Sequence, residues 1–383
     1  MNYDFDKTIC RRHTGSVKWD EAQHDVIPLW VADMDFEAAA PIREALRRRV
    51  DHGVFGYALV GNEYYDALTN WFRRRHQWTI DPHCVIYTTG VVPAISAALQ
   101  AVTMPGEKVL LQTPVYNCFF SSIRNCGCAV ADSPLVYENE TYHIDFDDFE
   151  AKAADEKVTA FLLCNPHNPA GRVWTREELQ RLGEICLRHH VTVISDEIHC
   201  ELIMPGHTFT PYATIGHEFE AQCIVCNSPT KNFNIAGLQI ANVIVANSEL
   251  RRRVDRAINI NEVCDVNPFG IDALIAAYNN CEDWLNQLNH YLWNNYQMVR
   301  QFFAEHMPHL PVTRLEGTYL VWVDVRSQQA SSATISHDLK EHFGVWVNEG
   351  EMYGTEGFVR INIACPRATL TEGLERMARY PWK

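Results

Sequence analysis

From about residue 84 the chain repeats one pattern: a short apolar run, a small or polar cluster, then a stretch of helical period. The runs are "CVIYTTG", "EKVLLQTPVY", "VTAFLLC", "VTVISDEIH", "QCIVCNSPT" and "ANVIVAN". Between them, "PAISAALQAVT" predicts a helix with Pro93 in its first turn, where a missing N–H costs nothing. "TREELQRLGEICLRHH" predicts another, opened by a capping box of Thr175 and Glu178. Val- and Ile-rich strands separated by helices constrain this region to an α/β domain with a mainly parallel sheet.

Beyond about residue 285 the alternation stops. A long amphipathic stretch, "WLNQLNHYLWNNYQMVRQFFAEHM", precedes the strands "GTYLVWVDV" and "GFVRINIA" and a closing helix, "TLTEGLERMARY". That order predicts a smaller α+β domain. We expect residues 46–284 to form the large domain and 285–383 the small one. Residues 1–45 are expected to form an arm that completes the small domain.

In parallel sheets, ligands bind at the carboxyl ends of the strands. Those ends carry Gly90, Tyr116, Asn168, Asp196 with His199, and Ser228 with Lys231. Lys231 is the unusual member, because no acidic residue lies within five positions of it. A lysine at a ligand-binding rim, away from carboxylates, suits nucleophilic work, since desolvation favours its neutral amine. Asp196 ends an apolar strand and could keep a heteroaromatic nitrogen protonated, as pyridoxal 5′-phosphate (PLP) requires. Asn168 could donate to a ring oxygen, and Tyr116 could lie on a flat ligand. The turn Gly90–Val91–Val92 opens a helix and offers backbone N–H groups to a phosphate. Ser228 could add a hydroxyl to it.

The formal net charge of −15 argues against nucleic-acid or anionic-membrane binding. No run reaches the ~18 apolar residues of a membrane span. The 13 cysteines show no repeated spacing, and the amino terminus has no apolar signal core. We therefore expect a cytoplasmic protein with free thiols and no metal. No G-x-G-x-x-G follows the first strand, so a nicotinamide cofactor is not expected.

The ordered set "NPHNPAGR", "SDEIH" and "SPTKNFNIAG" resembles the fold-type I PLP enzymes of the aminotransferase class I/II superfamily. Adding "KWD", "PLWVADMDF", "FGY", "PVYNCFF", "TYLVWVD" and "GFVRINIACPR", the chain more closely resembles the MalY/PatB-type carbon–sulfur β-lyases, the cystathionine β-lyases. The resemblance implies that Lys231 carries PLP and shuttles protons, that Asp196 pairs with the pyridine nitrogen, and that Asn168 meets the ring oxygen with His199 nearby. It implies that Arg360 clamps the substrate carboxylate, a task suited to a guanidinium fork. It implies that Tyr57 reaches a neighbouring subunit's phosphate, in a homodimer with shared sites. The implied reaction is β-elimination from a sulfur amino acid, with an aminotransferase as the alternative and a partner-binding regulatory protein as a third reading. The chain departs from the wider pattern at Gln239, where many aminotransferases have an arginine, and at Glu201 and Phe209.

Overall fold

The computed structural model describes residues 3–260 and 265–383. Its large sheet contains β1 (Val85–Thr88), β2 (Lys108–Leu111), β3 (Ala129–Asp132), β4 (Val158–Cys164), β5 (Thr192–Asp196), β6 (Cys223–Asn227) and β7 (Ala241–Ile244). The strand order is β1-β7-β6-β5-β4-β2-β3. β7 runs antiparallel to both its neighbours, and the other pairings are parallel. Side chains alternate across the sheet. Leu110 and Phe161 join the apolar cluster on one face, and Val109 and Leu162 join the cluster on the other. β6 is buried along its whole length. This is the fold class that the alternating pattern predicts.

The helix Val91–Val102 is apolar on nearly every side because it lies between the sheet and the helix Ser248–Asn259. The capping box at Thr175 and Glu178 forms as the sequence predicts and starts the helix Arg176–Arg188. Strand β3 is not foreseen by the apolar pattern. It is an edge strand with only Ala131 buried, so it lacks an apolar run.

A second, antiparallel sheet joins Leu320–Asp324, Phe358–Asn362 and Asn348–Glu349. The 25-residue helix Glu282–His306 and the closing helix Arg367–Ala378 pack together. The amino-terminal strand Ile27–Pro28 pairs in parallel with Val345–Trp346. After it, residues 29–36 run as a strap toward the end of the large sheet, with Met34 N–H bonded to Asn234 and Asp35 N–H to the Ala364 carbonyl.

Glu197, one residue past β5, is a buried carboxyl. One oxygen accepts from Ser195 Oγ at 3.0 Å and Tyr212 N–H at 2.8 Å, while the other has no partner. Burial pushes its pKa up to about 8. The folded protein therefore keeps a proton that the unfolded chain releases near its ordinary value of 4.5. The stabilising effect is complete below that value and is lost as pH rises toward 8. Glu197→Gln removes this dependence. We predict that the Tm of the variant gains steadily on wild type between pH 5 and pH 8, by several degrees in all. Parallel Tm–pH curves would show that Glu197 does not titrate in the folded state.

Candidate active site

At the carboxyl ends of the parallel strands lies a cavity of about 530 Å³. Lys231, Asp196, Asn168, Tyr116, His199, Gly90, Val91, Val92 and Arg360 all line it. Five strand ends and the second sheet thus bring together residues up to 270 positions apart (90 to 360).

Lys231 lies just beyond β6, and its Nζ donates to the Ala32 carbonyl at 2.5 Å. Burial pushes its amine down to about 8; Asp33 and Asp196 oppose this, while Arg360 reinforces it. Asp196 ends β5, accepts from Ile198 N–H at 3.1 Å and is pushed up to about 7, again mainly by burial. The buried His199 ring is pushed down to about 3 by burial and by the cations Lys231 and Arg360, so it is neutral. Its Nδ1 has no hydrogen-bond partner. Burial raises the phenol of Tyr116 well above its ordinary range, so that ring is neutral too.

Arg360 comes from the second sheet and is buried. Its guanidinium rests on the Tyr353 ring, 4.7 Å from the centroid. One nitrogen donates to Asn168 Oδ1 at 3.1 Å and another to the Trp30 carbonyl at 2.9 Å. Its Nε has no partner. Lining the same cavity, the helix Val91–Val102 begins at Gly90 without a side-chain cap. Its first N–H groups are left for whatever enters the cavity.

Two expected residues lie elsewhere. Ser228 does not line the cavity: it is buried, donates to the Ile240 carbonyl at 2.6 Å and accepts from Thr230 N–H at 3.0 Å. Its one proton is already committed within the turn that carries Lys231. Tyr57 is 98% exposed and does not line its own chain's cavity. Conversely, Trp30, Cys118, Asn348 and Tyr353 line the site without having been singled out. Trp30 and Cys118 sit inside "PLWVADMDF" and "PVYNCFF", motifs that carried resemblance but no assigned chemistry.

Among the described residues, His76, Cys200 and Glu201 form one cluster with metal-ligand chemistry. Glu201 is already engaged there by Arg75 at 3.1 Å, His76 at 2.6 Å and Trp71 Nε1 at 2.6 Å. A cation already sits against that carboxylate, which explains the cluster without a metal.

Residues 24–377 match the family model "Aminotransferase class I and II". The chain is 40% identical to cystathionine beta-lyase PatB of Bacillus subtilis (strain 168), with 98% of each chain covered. Among solved structures it is similar to cystalysin from Treponema denticola, which contains a pyridoxal 5′-phosphate cofactor. The TM-score is 0.96 and the identity 35%, covering 99% of this chain and 98% of that one. It is also similar to the PLP-bound C-S lyase from Staphylococcus hominis, with TM-score 0.92 and 33% identity over 99% and 98% of the two chains. The chain belongs to the aminotransferase class I and II family, among relatives of the PatB type.

Proposed function

We propose that the chain is a PLP-dependent carbon–sulfur β-lyase. It acts on L-cystathionine or L-cysteine-type amino acids and yields a thiol, pyruvate and ammonia. One observation carries the reading: a desolvated lysine, a buried carboxylate and a buried arginine converge on a single cavity. The names of the relatives point to the same chemistry.

The residues present fit the cofactor. The uncapped helix end at Gly90–Val92 suits its phosphate. The unpartnered Nδ1 of His199 and the raised pKa of Asp196 mark a buried polar wall suited to a polar heteroaromatic ring. When bound, PLP supplies an electron sink for the charge left on the substrate's Cα.

The chain's own residues supply the rest. The Lys231 amine would hold the cofactor covalently and would serve as the base for the substrate's Cα proton. With its pKa near 8, a useful fraction of that amine is neutral at physiological pH. Asp196 would pair with the ring nitrogen, whose positive charge would favour the ionised carboxylate and so keep the nitrogen protonated. Asn168 serves the ring oxygen, and its bond to Arg360 ties cofactor and substrate binding together. Arg360 would take the α-carboxylate through its unpartnered Nε and a neighbouring free N–H, a charge-assisted and bidentate contact, while its bonds to Asn168 and the Trp30 carbonyl hold its direction. Tyr116, a neutral phenol lining the cavity, would cover the ring. Together, Tyr116 and Arg360 would limit the substrate to the orientation that elimination of a Cβ substituent needs.

A second copy of the chain is the partner in this reading. Val54, Phe55, Tyr57 and Leu59 expose large apolar side chains within six positions, 54–59. Such a stretch wants cover, and a two-fold dimer would bring Tyr57 to the partner's phosphate site. The cysteines among the described residues are free, which supports a reducing, cytoplasmic setting.

With L-cystathionine we expect homocysteine, pyruvate and ammonia in equal amounts, with no 2-oxo acid required. Turnover that needs 2-oxoglutarate and releases glutamate without thiol would replace this reading with an aminotransferase. Mixed dimers of Lys231→Ala and Tyr57→Ala protomers should recover up to about one quarter to one half of wild-type activity, since one of their two sites is intact. Mixed dimers that form and stay inactive would place Tyr57 in its own subunit's service.

A further inference from the structure

Behind the strap, four charged side chains meet away from the cavity. Lys18, on the short helix Val17–Asp20, has no solvent exposure. Its ammonium lies 2.8 Å from Asp35 Oδ2 and 3.7 Å from Asp33 Oδ1. Arg11 closes the solvent side, 2.7 Å from each carboxylate, and also donates to the Met34 carbonyl at 3.0 Å. Trp19 Nε1 donates to Asp35 Oδ1 at 2.8 Å. Two cations neutralise two carboxylates, and none of the four lines the cavity.

A buried ion pair is weak evidence for stability, because apolar residues of similar volume often serve as well. Its worth must be sought in what it orients. Both carboxylates stand on the strap, and the strap's carbonyls face the site. The Trp30 carbonyl accepts from Arg360 at 2.9 Å and from Asn348 at 3.1 Å. The Ala32 carbonyl accepts from Lys231 at 2.5 Å and from Tyr319 at 2.9 Å. Asn362 donates to the carbonyls of Val31 and Asp33. Without a fixed strap, Arg360 keeps only Asn168 as a hydrogen-bonded guide.

We propose that Lys18 is a positioning residue for the reaction: the Lys18–Asp35 pair, closed by Arg11 and Asp33, sets the strap whose carbonyls orient Arg360 and Lys231. The proposal rests on the roles given to those two residues above. Asp33 has a second effect. The charged or titratable groups that act on the Lys231 amine are Asp33, Asp196, Arg360, the Cys118 thiol and the neutral His199 ring, with the Tyr319 hydroxyl sharing its Ala32 acceptor, and Asp33 is the anion that favours its protonated form most.

The test uses the holoenzyme of Lys18→Met/Asp35→Asn, which loses one cation and one anion and so keeps the net charge. KM and kcat for L-cystathionine, the pH midpoint of the bound cofactor's visible absorption, and Tm are measured together. We expect KM to rise roughly tenfold, more than kcat falls, because Arg360 loses its fixed direction. The absorption midpoint should move to lower pH as Asp33 relaxes away from Lys231. Lys18→Arg, which keeps the charge, should recover part of both effects. Should the double variant fail to fold, Arg11→Gln at the solvent side must shift KM and midpoint the same way. A lowered Tm with wild-type KM and midpoint would overturn the proposal and leave the cluster as structural only. A wild-type protein that binds no PLP would instead refute the lyase reading, and this proposal with it.

Discussion

The partial burial of one amine is the constraint on which the rest of the site depends. A lysine ammonium in water is a poor nucleophile because its proton is held too tightly. Moving it out of water lowers that affinity, but only if the neighbouring charges do not undo the effect. Around Lys231 they are balanced: Asp33 and Asp196 hold the proton, Arg360 releases it, and burial is the largest influence. His199 remains neutral in the same field. A further carboxylate beside Lys231 would push its pKa back up. The absence of acidic neighbours along "NSPTKNFNIAG" is therefore chemistry written into sequence.

The fold makes that balance possible by separating apolar from polar work. Strands such as Val158–Cys164 and Cys223–Asn227 bury both faces, so functional side chains collect where the strands stop. The second sheet then presents Arg360 to that edge, and the amino-terminal strap passes between them. Three pieces of the chain line one cavity. None of them could hold both the cofactor and the substrate carboxylate alone.

What the sequence reveals follows the same division. Buried strands advertise themselves by composition, and a capping box such as Thr175–Glu178 acts within four residues, so both are legible. The edge strand Ala129–Asp132 is not, because its identity comes from pairing rather than from burial. In the site, the polar side chains at strand ends that line the cavity can be found from type and position. Tyr353 and Asn348 cannot, since their roles arise from where the second sheet lands. The strap is harder still, for it contributes mainly backbone carbonyls at Trp30 and Ala32. Ser228 shows the opposite case, a hydroxyl placed by its own turn. A hydroxyl three residues from the lysine looks available in sequence, but the turn consumes it through the Ile240 carbonyl.

The central claim is that Lys231, and no other lysine, forms the covalent link to the cofactor. Borohydride reduction of the PLP-loaded protein, followed by peptide mass spectrometry, tests it directly. The account predicts one reduced pyridoxyl label per chain, on the peptide containing Lys231, and no stable label in Lys231→Ala. A label on a different lysine, or none on protein saturated with PLP, would contradict it.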